Sequence, residues 1–164
     1  MRVYVDECGV DRHLVREYGR AYRGVKVYDT KRGKRFQRTN VVAARHKNAD
    51  GHVSHIEPTC YNHTTTSTFF VEWFRTKLVK SIPRGSTIIL DNATHHPKKK
   101  LKNLARRHGM KLLPLPTYSP DFNPIEKDWS NMKKSLIEIM KIPEVETLEN
   151  GIYWYFGVED YWVK

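Results

Sequence analysis

The sequence predicts a mixed α/β fold, a single sheet with helices packed on its faces. Two patterns carry that prediction. The first third of the chain reads as a meander of strand-like runs, and the remainder alternates helix with strand. A length of 164 residues then fits one domain with one sound core.

The first strand is Arg2-Val-Tyr-Val-Asp6, and Arg20 to Lys26 reads as loop. Strand-like runs rich in β-branched and aromatic residues follow at Arg35–Ala44 and Gly51–Tyr61. Thr64–Ile82 predicts the first helix: Phe69, Phe70, Trp73, Phe74 and Leu78 recur at helical spacing, Ser/Thr caps precede them, and Pro83 and Gly85 end the run. Ser86–Leu90 is short and apolar, the pattern of a strand covered on both faces, and it ends in Asp91-Asn92. Pro97–His108 predicts a basic helix closed by Gly109, and Met110–Leu115 a second buried strand. Pro114, Pro116, Pro120 and Pro124 stiffen the connection to a helix over about Pro124–Met140, striped by Ile125, Trp129, Met132, Leu136 and Met140. The aromatic, acidic tail, about 142–164, is expected to be a helical extension of the same domain.

Composition narrows the function. No apolar run approaches the roughly 20 residues of a membrane span. The first apolar residues are broken by Arg2 and Asp6, unlike a signal peptide. Two cysteines, Cys8 and Cys60, make no disulfide framework and fit a reducing compartment, so a cytoplasmic location is expected. Lys and Arg number 29 against 18 acids, a formal charge of +11. The excess is concentrated: residues 12–47 carry twelve basic residues against Glu17 and Asp29, and Lys98–Lys111 carries seven with no acid. Any one of these lysines serves equally well as a solvated surface group. Two blocks in so small a domain point to nucleic acid. Arg20, Arg23, Lys98, Lys99, Lys100, Lys102, Arg106 and Arg107 are the expected phosphate contacts.

Against this basic background, three acids end predicted elements. Asp6 closes the first strand, Asp91 closes the apolar central one, and Glu126 falls in the first turn of the Pro124–Met140 helix. Each has a local explanation. Asp91-Asn92 can form an Asx turn, and Asn123, Pro124 and Glu126 can form a near capping box. Together they make a hard, oxygen-rich set suited to Mg²⁺ or Mn²⁺. Two such ions roughly 3.5–4 Å apart activate water and stabilise a leaving oxygen in phosphoryl transfer.

At these acids the chain resembles a known family. Val3-Tyr-Val-Asp-Glu-Cys-Gly9, Ile88-Ile-Leu-Asp-Asn-Ala93 followed by His96, and Leu115-Pro-Thr-Tyr-Ser-Pro-Asp-Phe-Asn-Pro-Ile-Glu-Lys127 are similar to the three catalytic blocks of DDE transposases. The nearest branch is the bacterial insertion-sequence relatives of the mariner superfamily, whose spacing matches the 34 residues between Asp91 and Glu126. Tyr18-Gly-Arg-Ala-Tyr-Arg-Gly24 resembles a further signature, and Thr117 and Phe122 depart from the usual proline and leucine. The resemblance implies an RNase H-like mixed central sheet flanked by helices. It implies Asp6, Asp91 and Glu126 as catalytic metal ligands, with two Mg²⁺ or Mn²⁺ ions. It also implies cleavage at transposon ends and attack of the freed 3′-hydroxyl on target DNA, by a homodimer associated with the nucleoid. Family members usually carry an N-terminal helix-turn-helix region; none is expected here before the first strand, so the chain is expected to be either a fragment or the second of two reading frames, with that region on a separate subunit or an upstream frame.

Other residues are weighed alongside. Glu7 and Asp11 are rival ligands, although strand alternation turns Glu7 away from Asp6. His95 and His96 are candidates to touch phosphate or the attacking water, Asn92 to orient a metal-bound water, and Asn123 to cap the helix. Cys60, His63 and His55 lack the paired spacing of a zinc site. Tyr22 and Tyr118 are candidates for base stacking. A DNA-binding remnant without catalysis, and a cellular nuclease such as a ribonuclease H or junction resolvase, are the competing functions. The Pro-rich block before Glu126 favours the transposase.

Overall fold

β1 (Arg2–Asp11) is the central strand of a five-stranded sheet of order β3-β2-β1-β4-β5. In this computed structural model residues 1–11, 21–26, 28, 38–116 and 119–158 are described. β2 (Arg38–Lys47) and β3 (Val53–Tyr61) make an antiparallel meander with β1, while β4 (Thr87–Leu90) and β5 (Lys111–Pro114) run parallel to it. This is the mixed sheet the sequence predicts.

Strand alternation divides the core in two. Val3, Val5, Val42, Ala44, Ile88 and Leu90 face one side. There they pack on α1 (Ser67–Trp73), a π-helical turn (Phe74–Leu78), α2 (Val79–Ser81) and α3 (Lys98–Arg107). Cys8, Val10, Val41 and Ala43 face the other, under α4 (Ile125–Ile139) and α5 (Leu148–Phe156). The helix expected over 64–82 therefore forms, with Thr66 as its cap (Phe69 N–H to Oγ1, 3.2 Å) and a π turn inside it that keeps Phe74 and Leu78 buried. On the second face, Asp128 of α4 accepts from Arg45 Nε at 2.7 Å and lies 3.0 Å from His55 Nε2, tying the helix to β2 and β3.

Four expectations need correction. Asp6 does not end β1: pairing with β4 stops at Val5↔Leu90, but β2 stays paired from Val3↔His46 to Asp11↔Arg38 and carries the strand on. The second buried strand is an exposed edge. β5 pairs with β4 alone, so Leu112 meets the first core while Leu113 is 53% exposed. No side chain caps α4, because Asn123 is buried and turned to β1, its Nδ2 3.5 Å from the Val5 carbonyl. The helical part of the tail is Leu148–Phe156, capped by Thr147 and ended by Gly157 at φ +66°. Arg20, residues 35–37, Thr117, Tyr118 and 159–164 lie outside the described residues.

Candidate active site

Asp6 and Asp91 meet because of strand register. β1 and β4 are parallel and paired through Val5↔Leu90, so the next residue on each strand is an aspartate. Val5 and Leu90 both face the first core, and alternation sends both aspartates to the α4 side. Glu126 arrives from the first turn of α4. All three line one cleft of about 380 Å³, with Asn92, Ser119 and Asn123 also in its wall. The cleft opens beyond the carboxyl end of β4, where ligands gather in such sheets.

The three carboxylates sit in different surroundings. Asp6 is 9% exposed and its Oδ2 accepts the Trp129 indole N–H at 2.9 Å. Burial pushes its pKa up to about 7; the Trp129 hydrogen bond opposes the rise, and the charges of Glu126 and Glu7 add to it. Asp91 is half-exposed. His96 beside it holds its carboxyl below the usual range, against partial burial, and the Ala93 N–H donating to Oδ1 at 3.0 Å helps. That last bond is the Asx turn the sequence suggests, so turn and site coexist. Glu126 is exposed to the cleft and is not engaged in a capping box.

Glu7 stands on the opposite face of β1, as alternation predicts, and does not line the cleft. Its Oε1 faces His96 Nε2 at 2.9 Å and His95 Nε2 at 3.2 Å. Burial works to raise the Glu7 pKa, but the two histidines outweigh it and hold it low. His96 is fully buried against Phe70, ring centres 4.1 Å apart. Burial alone would lower its pKa; Asp91 and Glu7 together raise it to about 9. His96, expected to touch phosphate or water, is buried and is not in the cleft wall. Among the described residues, Glu7, His95 and His96 form the group whose ligand atoms all lie within 4.8 Å of one another; the three cleft acids are spread more widely. Cys60, His55 and His63 do not assemble. His55 goes to Asp128, His63 packs on Phe69, and the Cys60 N–H donates to the Tyr153 hydroxyl.

The basic residues separate into two places. Lys99, Lys100 and Lys102 are exposed in the first half of α3, which begins beside the Asp91–His96 loop; Lys98 is tied down, its Nζ donating to the Ala93 carbonyl at 2.8 Å. Arg106 and Arg107 are exposed at the other end of α3, next to Gly109, whose carbonyl accepts from Gly85 before β4. Along this ten-residue helix the two groups lie about 9 Å apart on the axis. Arg23 is exposed in its loop, and so is Tyr22.

The cleft fits a hard divalent cation. It offers carboxylate oxygens, one on a buried aspartate short of compensating charge, and its wall includes Asn123, whose buried Oδ1 has no hydrogen-bond partner among the described residues.

Sheet order, flanking helices and the acid cleft define an RNase H-like fold. A DDE superfamily endonuclease family model matches residues 1–149, and the chain belongs to that family. Among solved structures, the Mos1 transposase paired-end complex with left transposon end aligns at TM-score 0.61 and 16% identity, covering 98% of this chain and 53% of that one. The Mos1 mariner paired end complex with Mn aligns at 0.57 and 14%, over 98% and 53%. A simian T-cell lymphotropic virus intasome in complex with PP2A regulatory subunit B56 gamma aligns at 0.56 and 12%, over 94% and 46%. The chain thus spans about half the length of these relatives. Among curated proteins none matches the sequence. No described helix is long and apolar enough to cross a membrane.

Proposed function

We propose that this chain is the catalytic domain of a transposase, a metal-dependent endonuclease and strand transferase that cuts transposon ends and joins the freed 3′-hydroxyl to target DNA. The single observation that carries the reading is the convergence of Asp6, Asp91 and Glu126 on one cleft in a domain of charge +11. Family membership and the Mos1 likeness support it.

Asp6, Asp91 and Glu126 would hold Mg²⁺ or Mn²⁺, two ions in the active complex. Bound there, the ions would activate the attacking oxygen and stabilise the leaving one. The remaining work falls to the protein. Asp6 is oriented by Trp129 and buried enough to exclude bulk water from one side of the site. Asp91 is fixed at its turn by the Ala93 N–H. Glu126, on the first turn of α4, closes the third side and is the most accessible of the three. Lys99, Lys100 and Lys102, exposed on the half of α3 nearest the cleft, would hold DNA phosphates. Two copies on paired ends, and a helix-turn-helix region on this or another chain, would supply recognition of the ends.

Crystals soaked in Mn²⁺ test the site. An anomalous peak within roughly 2.0–2.6 Å of oxygens of Asp6 and Asp91 is the expected result. Manganese bound only at Glu7, His95 and His96, with the cleft empty, would refute the assignment.

A further inference from the structure

We infer that His96 is a positioning residue which, anchored by Glu7, orients Asp91 from beneath the cleft; this rests on the reading of Asp91 as a metal ligand. The geometry is a relay through the sheet. Glu7 faces away from the cleft, yet its Oε1 is 2.9 Å from His96 Nε2. The opposite ring nitrogen, Nδ1, lies 2.8 Å from Asp91 Oδ1, an ion-pair contact rather than an in-line hydrogen bond. The imidazole is thus pinned between a carboxylate on one face of β1 and a carboxylate in the cleft.

A buried histidine needs polar partners, and Glu7 and Asp91 are the carboxylates it meets among the described residues. Its ring rests on Phe70, which any apolar side chain of that size would cover equally well. The half-exposed Asp91, at the end of a four-residue strand, is the group most in need of restraint. One oxygen, Oδ1, is taken by Ala93 and His96; that arrangement leaves Oδ2 for a ligand. A carboxylate whose rotation is fixed binds a cation without first losing that freedom, and outer partners of metal ligands act in this way. Because Glu7 holds the far nitrogen, the ring cannot swing to spare Asp91, and the adjacent residues Asp6 and Glu7 serve one site from two faces of β1.

The test uses Mn²⁺ titrated into the full chain and followed by the electron paramagnetic resonance of the free ion. The amide nitrogen of Asn overlays His Nδ1, and that of Gln overlays Nε2. His96→Asn therefore keeps the Asp91 contact, and His96→Gln keeps the Glu7 contact. His96→Gln and His96→Ala should weaken Mn²⁺ binding about 10–100-fold, with His96→Asn, which keeps the Asp91 contact but loses the Glu7 anchor, falling between wild type and Gln and matching Glu7→Ala. Glu7→Ala should weaken binding and add little to His96→Ala, since the two act through one ring. General loosening of the core would affect Asn and Gln alike, and near-UV circular dichroism confirms that the variants compared are folded. If His96→Ala does not fold, the order of Asn over Gln still decides. Equal affinity for wild type, Asn and Gln, while Asp91→Asn loses the ion, overturns the inference and leaves the three-acid site standing. Unchanged Mn²⁺ binding in Asp91→Asn overturns the three-acid site itself, and the role of His96 with it.

Discussion

The indole N–H of Trp129 donates to Oδ2 of Asp6 at 2.9 Å, so the helix that supplies Glu126 also orients the first aspartate. Ile125, Trp129, Met132 and Leu136 form the buried stripe of α4, and its second member doubles as a hydrogen-bond donor to the site. Packing of α4 and the geometry of the carboxylates are thereby coupled.

Trp129→Phe separates the two roles. The ring remains to fill the core, and the donor is lost from a buried carboxylate. Stability should fall by about 1–3 kcal/mol at neutral pH, and the Asp6 pKa should climb above its value near 7, since the lost bond opposes that rise. Thermal melts and an NMR titration of the Asp6 carboxyl check both. An unchanged Asp6 pKa in a folded variant would show that the bond does not restrain it.

Asp6 also sets a pH dependence with a definite sign. Its pKa is raised from 3.8 to about 7 in the fold, so the folded chain keeps a proton that the unfolded chain has lost. Without metal, its contribution to stability therefore falls as pH rises from 3.8 toward 7, and is level above that. Asp6→Asn should stabilise the metal-free protein progressively across this window. Mn²⁺ needs the carboxylate, so affinity should rise about tenfold per pH unit below 7 and flatten above. Calorimetric titrations at several pH values measure this, and a pH-independent affinity would contradict it.

The two ends of α3 should differ in DNA binding. Lys99→Ala with Lys100→Ala removes two exposed cations beside the cleft, and should lower the slope of log affinity against log salt by about 1.8. Arg106→Ala with Arg107→Ala, at the far end, should change binding of a short cleft-sized duplex much less. Fluorescence anisotropy at several salt concentrations compares them. Equal losses would mean that DNA runs along the whole helix.

Much of this was legible in the sequence. The apolar run Thr87-Ile-Ile-Leu90 marks a strand covered on both faces, and the acid after it marks the strand's functional end. Glu126 shows itself by its place in a first helical turn. Less legible was anything that depends on which strand pairs with which. Asp6 reads as a strand end, yet it lies mid-strand where one neighbour stops and another continues, which only register reveals. Leu112 and Leu113 read alike, and only the edge position of β5 exposes the second. The separation of 88 positions from Glu7 to His95 hides the histidine cluster, and Trp129 reads as core because its spacing says so. His96 reads as a loop residue because two polar partners, remote in sequence, are what allow a histidine to be buried.

The most direct measurement is supercoiled-plasmid nicking in Mg²⁺ or Mn²⁺ by wild type and Asp91→Asn, joined to a DNA-recognition region where one is required. Asn keeps the shape of the side chain and removes the charge that would hold the metals. Nicking should fall by at least about 10³-fold, with DNA affinity equal or slightly higher and the fold intact. Equal nicking by both proteins, or binding without nicking by wild type in every metal tested, would contradict the account.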